Sequence, residues 1–197
     1  MKRRSLDLIF SLGGVIVAVL LAAAGFTFKA NADFAKDYVR DQLSAQKITF
    51  TPAENLSDEE KKSDCLVEYA GTALDSGKKA ECYSNDYIAL HVNNIGGGET
   101  YATIGGKQRQ AQADLQAAID SKAANVADLQ AALDKINSTR DTLFKGETLR
   151  GLLLTSYGFS IFGEKAMLAA NLAFLGAIVM LLASLAGFAH AAGSKKE

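Results

Sequence analysis

The sequence predicts an all-α membrane protein: two transmembrane helices flanking a helical extracytoplasmic domain with a long heptad-bearing helix. Three observations predict it. Residues 8–28 and 166–188 are apolar runs, each longer than the ~20 residues a helix needs to cross a bilayer. The segment between them is polar, rich in Ala, Leu, Gln, Lys and Glu, and the whole chain holds a single proline, Pro52, a mixture that favours helix over sheet. Apolar residues then recur at three- and four-residue steps through residues 107–143, the spacing of a heptad seam.

Taken in order, residues 1–5 are expected as a cytoplasmic N-terminus and 6–28 as the first span. Residues 29–148 form the extracytoplasmic domain and 149–165 a membrane-proximal apolar collar. The second span covers 166–189, and 190–197 form a cytoplasmic tail. Lys2, Arg3 and Arg4 precede the first span and Lys195 and Lys196 follow the second, which places both termini inside by the positive-inside tendency. Five basic residues also flank the spans on the other side (Lys29, Lys36, Arg40, Arg150, Lys165). The balance tips because the N-terminal trio abuts the first span and a long domain translocates largely regardless of its charge. A cleaved signal peptide is the competing reading of the first run, with Ala30-Asn31-Ala32 as a small-x-small site. The run exceeds the 7–15 apolar residues of a cleaved signal, so an uncleaved anchor is expected.

Residues 29–148 carry 14 Lys and Arg against 19 Asp and Glu, an acidic surplus that argues against a nucleic-acid partner. Cys65 and Cys82 are the two cysteines. In an exported domain they are expected as a disulfide, worth about 3 kcal/mol for a loop of that size; a pair of free buried thiols in a cytosolic domain is the alternative.

Within the domain, Phe34, Val39 and Leu43 mark an amphipathic helix leaving the first span, broken by Ile48-Thr49-Phe50 and Thr51-Pro52. Residues 65–74 and 82–95 are expected as two short helices tied by the disulfide, the second ended by Gly96-Gly97-Gly98. Leu115, Ile119, Val126, Leu129, Leu133, Ile136 and Leu143 form the heptad seam, with Lys122 and Arg140 filling its gaps. The seam suits either a long helix packed on its own domain or an intermolecular coiled coil. The collar leaves Tyr157 as an interfacial anchor, and Glu164 and Lys165 either mark the outer water boundary or lie at membrane depth.

The candidate sites follow from these elements. Gly14, Ala18 and Ala22, and Ala169, Ala173 and Ala177, repeat small residues at every fourth position and predict close helix association. Gly105-Gly106-Lys107 lacks the spacing of a phosphate loop, and Gln108 replaces its Ser or Thr. His91 and His190 fall in different compartments, so no His-based metal centre or catalytic triad is expected from one chain, and no cofactor. Asn55-Leu56-Ser57 and Asn137-Ser138-Thr139 are formal glycosylation sequons. Glu147, Arg150 and Glu164 are the residues an enzyme would need to use at the membrane surface.

The runs Val39-Arg40-Asp41-Gln42-Leu43-Ser44-Ala45-Gln46-Lys47-Ile48-Thr49-Phe50 and Thr142-Leu143-Phe144-Lys145-Gly146-Glu147-Thr148-Leu149-Arg150-Gly151-Leu152-Leu153-Leu154, with Tyr69-Ala70-Gly71 and Gly98-Glu99-Thr100-Tyr101-Ala102, resemble a family of uncharacterised two-span actinobacterial membrane proteins. The resemblance touches most of the chain. Some members carry the label aromatic ring-opening dioxygenase, a chemistry that needs an iron site for which this chain offers no His and carboxylate cluster. The Cys65 and Cys82 pair and the Glu164-Lys165 charges are not general features of that family.

The expected function is a noncatalytic accessory or scaffold subunit of a larger cytoplasmic-membrane assembly, respiratory or cell-envelope. The alternative is a self-associating membrane sensor or organiser acting through its coiled-coil-like helix. Membrane lipids and other integral membrane proteins, or a second copy of the chain, are the expected partners.

Overall fold

The computed structural model describes residues 3–193. The basic residues Lys2, Lys195 and Lys196, on which the inside placement of the termini partly rests, lie outside them. Six α-helices account for about three-quarters of the described chain: α1 (Arg3–Ala45), α2 (Asp64–Glu68), α3 (Gly77–Cys82), α4 (Ala89–Gly96), α5 (Ile104–Asp120) and α6 (Val126–Gly193). The expected all-α class is what forms. Two of the helices, α1 at 43 residues and α6 at 68, are long and apolar enough to cross a membrane. The described residues divide into two compact units, one of residues 3–39 with 159–193 and one of residues 40–158.

The first unit is a pair of helices packed through small residues. The α1 side buries Ser11, Gly14, Ala18, Gly25, Ala32, Ala35 and Val39; the α6 side buries Gly163, Ala170, Ala177, Ser184 and Ala191. The α6 positions are seven residues apart and the α1 positions follow three-, four- and seven-residue steps, so the seam has a 3.5-residue period. Its direction is antiparallel, because Gly14 faces Ser184, Gly25 faces Phe174 and Gly163 faces Ala35. Large apolar side chains turn away from it: Phe10 is 76% exposed and Leu182 61%.

This corrects the expected association faces. Gly14, Ala18 and Ala177 do lie buried, but Ala22, Ala169 and Ala173 are only half-buried, and Ala170 takes the central place. A repeat of four drifts around the helix away from a straight neighbour, whereas a repeat of seven keeps one face toward it. Phe34 is likewise 61% exposed, not on the buried face with Val39 and Leu43. It stacks on Tyr38, and both rings meet Phe159 edge-on.

The second unit is a helical head. Its core gathers Phe50, Leu66, Leu74 and Leu143, each under 2% exposed or at that limit, with Ile88, Val92, Leu115 and Leu133 around them. Residues 48–51 pair briefly and antiparallel with 71–74: Phe50 N–H donates to the Thr72 carbonyl and Leu74 N–H to that of Ile48, each at 2.9 Å. The expected helix over 65–74 therefore stops at Glu68. Gly71, at φ 71°, turns the chain so that it can pair instead. The helix expected over 82–95 is present as three joined pieces, α3, a π-helical segment Tyr83–Ile88 and α4, ended at Gly97 in the left-handed region (φ 59°).

The expected seam over 107–143 is not one helix. Leu115 and Ile119 belong to α5, and Val126, Leu129, Leu133, Ile136 and Leu143 to α6. Between them Lys122 takes φ 53°, its N–H donating to the Ile119 carbonyl and that of Ala123 to Ala118. The Ser121 hydroxyl also donates to the Ala117 carbonyl at 2.8 Å. These bonds complete a Schellman-type helix end. The hairpin is then tied across by side chains, the Gln108 amide donating to Asn137 at 2.6 Å and Arg140 donating to Gln108. Ile119, at 47% exposed, leaves the core altogether.

Candidate functional site

Three groupings of chemistry-bearing side chains emerge, one in the helix pair and two in the head. In the helix pair, α1 carries Ser11 three residues before Gly14 and α6 carries Ser184 three before Gly187. In the antiparallel pair each serine fills the space left by the other helix's glycine, so a Cβ at Gly14 would collide with Ser184 Oγ and one at Gly187 with Ser11 Oγ. The Ser184 hydroxyl donates to the Met180 carbonyl at 2.8 Å, which satisfies it within its own helix. One turn further out, Asp7 and His190 meet at 2.9 Å, and Asp7 lines a cleft of about 200 Å³ together with Ser11 and Ser184.

In the head, Cys65 and Cys82 form the expected disulfide, Cα to Cα 6.0 Å, joining α2 to the end of α3. An Asp86 carboxylate oxygen lies 3.1 Å from Cys65 Sγ, and the two sulfurs and that oxygen fall within 4.8 Å of one another. The paired sulfurs bear no thiolate charge, so in this state they offer a cation nothing to ligate. Beside the disulfide, Ser57 and Glu60 form a capping box: Ser57 N–H donates to Glu60 Oε2 at 2.7 Å and Glu60 N–H to Ser57 Oγ at 3.2 Å. Glu60 is 5% exposed and its other oxygen meets His91 Nε2 at 3.0 Å. Burial opposes ionisation of Glu60, but the Ser57 backbone N–H and the His91 and Ser57 side chains outweigh it and hold its carboxyl below the usual value.

From His91 a row of rings runs through Tyr87 (4.4 Å between centroids), Tyr83 (4.6 Å) and Phe50 (5.2 Å) to Tyr69 (5.7 Å). Burial and the neighbouring Tyr87 push the Tyr83 hydroxyl up to about 12. The π-helical segment carries Tyr83 and Tyr87 four residues apart, with His91 four further on in α4, a spacing that sets the three rings on one face. It also buries Ser84 completely, its hydroxyl donating to the Arg150 carbonyl of α6 at 3.3 Å.

The third grouping is an open cleft of about 410 Å³ on the α5 and α6 hairpin, lined by Tyr101, Gln108, Asn137, Arg140 and Phe144 among others. The Arg140 guanidinium lies over the Tyr101 ring at 4.7 Å. Its Nε is buried without a hydrogen-bond partner.

The remaining sequence candidates fall as follows. Glu147 and Arg150 pair with each other at 2.9 Å on α6. Tyr157 is half-buried with Lys78 Nζ 5.9 Å from its ring. Glu164 and Lys165 are exposed. Sequence reasoning missed the Glu60 and His91 pair, whose only local signal was Ser-x-x-Glu at 57–60. It also missed the Arg140 cleft, which was hidden as a charged position in the supposed seam.

The architecture thus defines an all-α protein with two helices long and apolar enough to span a membrane and a disulfide-tied helical head. No family model, curated protein or solved structure matches the chain.

Proposed function

We propose that this chain is a noncatalytic accessory or scaffold subunit of a larger assembly in the cytoplasmic membrane, with both termini inside and the head outside. The helix pair carries the reading. Its small residues are used against each other, leaving two long faces of Leu, Ile, Val and Phe for lipid or for the helices of another membrane protein. The orientation draws on the basic residues beside the first span and on the disulfide, which persists in an oxidising compartment. Self-association through a coiled coil is the weaker reading, because Leu115, Leu133 and Leu143 are buried within the hairpin and the head.

Purification at native abundance in mild detergent tests the proposal. Partners recovered in fixed stoichiometry support it, and a chain that migrates alone or only with itself overturns it.

A further inference from the structure

The α5 and α6 hairpin brings two guanidinium groups to one spot. Arg109 Nη1 and Arg140 Nη2 each lie within 4 Å of the place where a Cβ on Gly105 would sit. No carboxylate among the described residues is paired with either. The nearby Lys107 is neutralised by Glu99 at 2.6 Å, and Asp141, at the rim of the adjoining cleft, is held by Lys145. Two neighbouring guanidiniums with no carboxylate partner repel each other, and a shared anion between them removes that cost. The planar fork of each guanidinium suits two oxygens of a phosphate or carboxylate. Arg140 also lines the 410 Å³ cleft, where Tyr101 and Phe144 stand 40% and 51% exposed with ring centroids 5.5 Å apart. Such rings exposed beside a fixed cation offer an apolar wall to whatever carries the anion.

We propose that this corner of the head binds a small oxyanion-bearing molecule, its charged group bridged by Arg109 and Arg140 and its planar apolar body laid against Phe144. The site is distinct from a phosphate loop, using side-chain cations where a loop uses backbone amides.

The test is titration of the full chain, in an uncharged glucoside detergent at low salt, with phenyl phosphate and separately with inorganic phosphate, followed by saturation-transfer NMR and calorimetry. Phenyl phosphate is expected to saturate in the millimolar range or below and to bind several-fold tighter than inorganic phosphate. Arg109→Gln and Arg140→Gln are each expected to weaken it about tenfold, the loss of one charge-assisted bidentate contact. Phe144→Ala should bring the two probes to equal affinity. Arg109 is exposed, so its variant keeps the test informative even where Arg140→Gln disturbs the hairpin. Absence of saturation, or Arg109→Gln binding both probes as the parent does, overturns the proposal. Saturation only when anionic phospholipid is present in the micelle, with neither soluble probe competing, overturns it in favour of a lipid headgroup.

Discussion

Lys122 sits at φ 53°, where an L side chain crowds its own carbonyl, and it is exposed with its N–H engaged in the helix end. Glycine has no such conflict, so Lys122→Gly is expected to stabilise the head by about 1 kcal/mol, read as a raised thermal midpoint. Glu60 makes the opposite kind of contribution. Its carboxyl is held below the usual value in the folded state, so the stability it supplies is present above the unfolded carboxylate pKa of about 4.3 and is lost as pH falls through the lower folded value. Glu60→Gln should lower stability by about 1 to 3 kcal/mol at neutral pH and flatten the dependence on pH below about 5. Parallel acid titrations of the two proteins, followed by tyrosine fluorescence, would show this; identical curves would mean the pair with His91 is incidental.

Among the elements, α4 and α6 approach closely enough that two glycines carry the contact. A Cβ at Gly96 would press on Leu143, and one at Gly146 would collide with Val92. Val92 is buried and β-branched, with little freedom to turn aside. Gly146→Ala should therefore destabilise by about 1 to 2 kcal/mol despite alanine's better helix propensity. Adding Val92→Ala should recover part of that loss, since the second change removes the clash. In a denaturant series, a double variant no better than the sum of the singles would contradict this account. The same logic of size explains why the helix pair was misread by one residue at Ala169. Inside an apolar run every face is hydrophobic, so only the placement of Gly, Ala and Ser reveals the contact face, and their true repeat there is seven.

For the whole molecule, the Cys65–Cys82 bond closes the head between α2 and α3. Replacing both cysteines with serine is expected to cost about 3 kcal/mol, nearly all of it in the unfolding of residues 40–158 rather than of the helix pair. Calorimetry should then show a lowered transition for the head alone, and an unchanged profile would mean the bond adds nothing. The class of the protein and its two long apolar helices were legible because composition and run length act locally and need no partner. The pairing of Cys65 with Cys82 was legible because no other cysteine competes. The hairpin was not, because Lys122 falls at a heptad position and no Gly or Pro announces the turn at 121–125; the residues on either side keep the spacing of an uninterrupted seam. What the sequence determined by itself is therefore helicity, the two long apolar segments and the covalent tie. Only tertiary structure decided which small residues form the seam, that α5 folds back on α6, and that Glu60 meets His91 and Arg109 nears Arg140. Those outcomes depend on contacts between residues far apart in the chain, where the winning arrangement is set by packing volume and by the partners each buried polar group can reach.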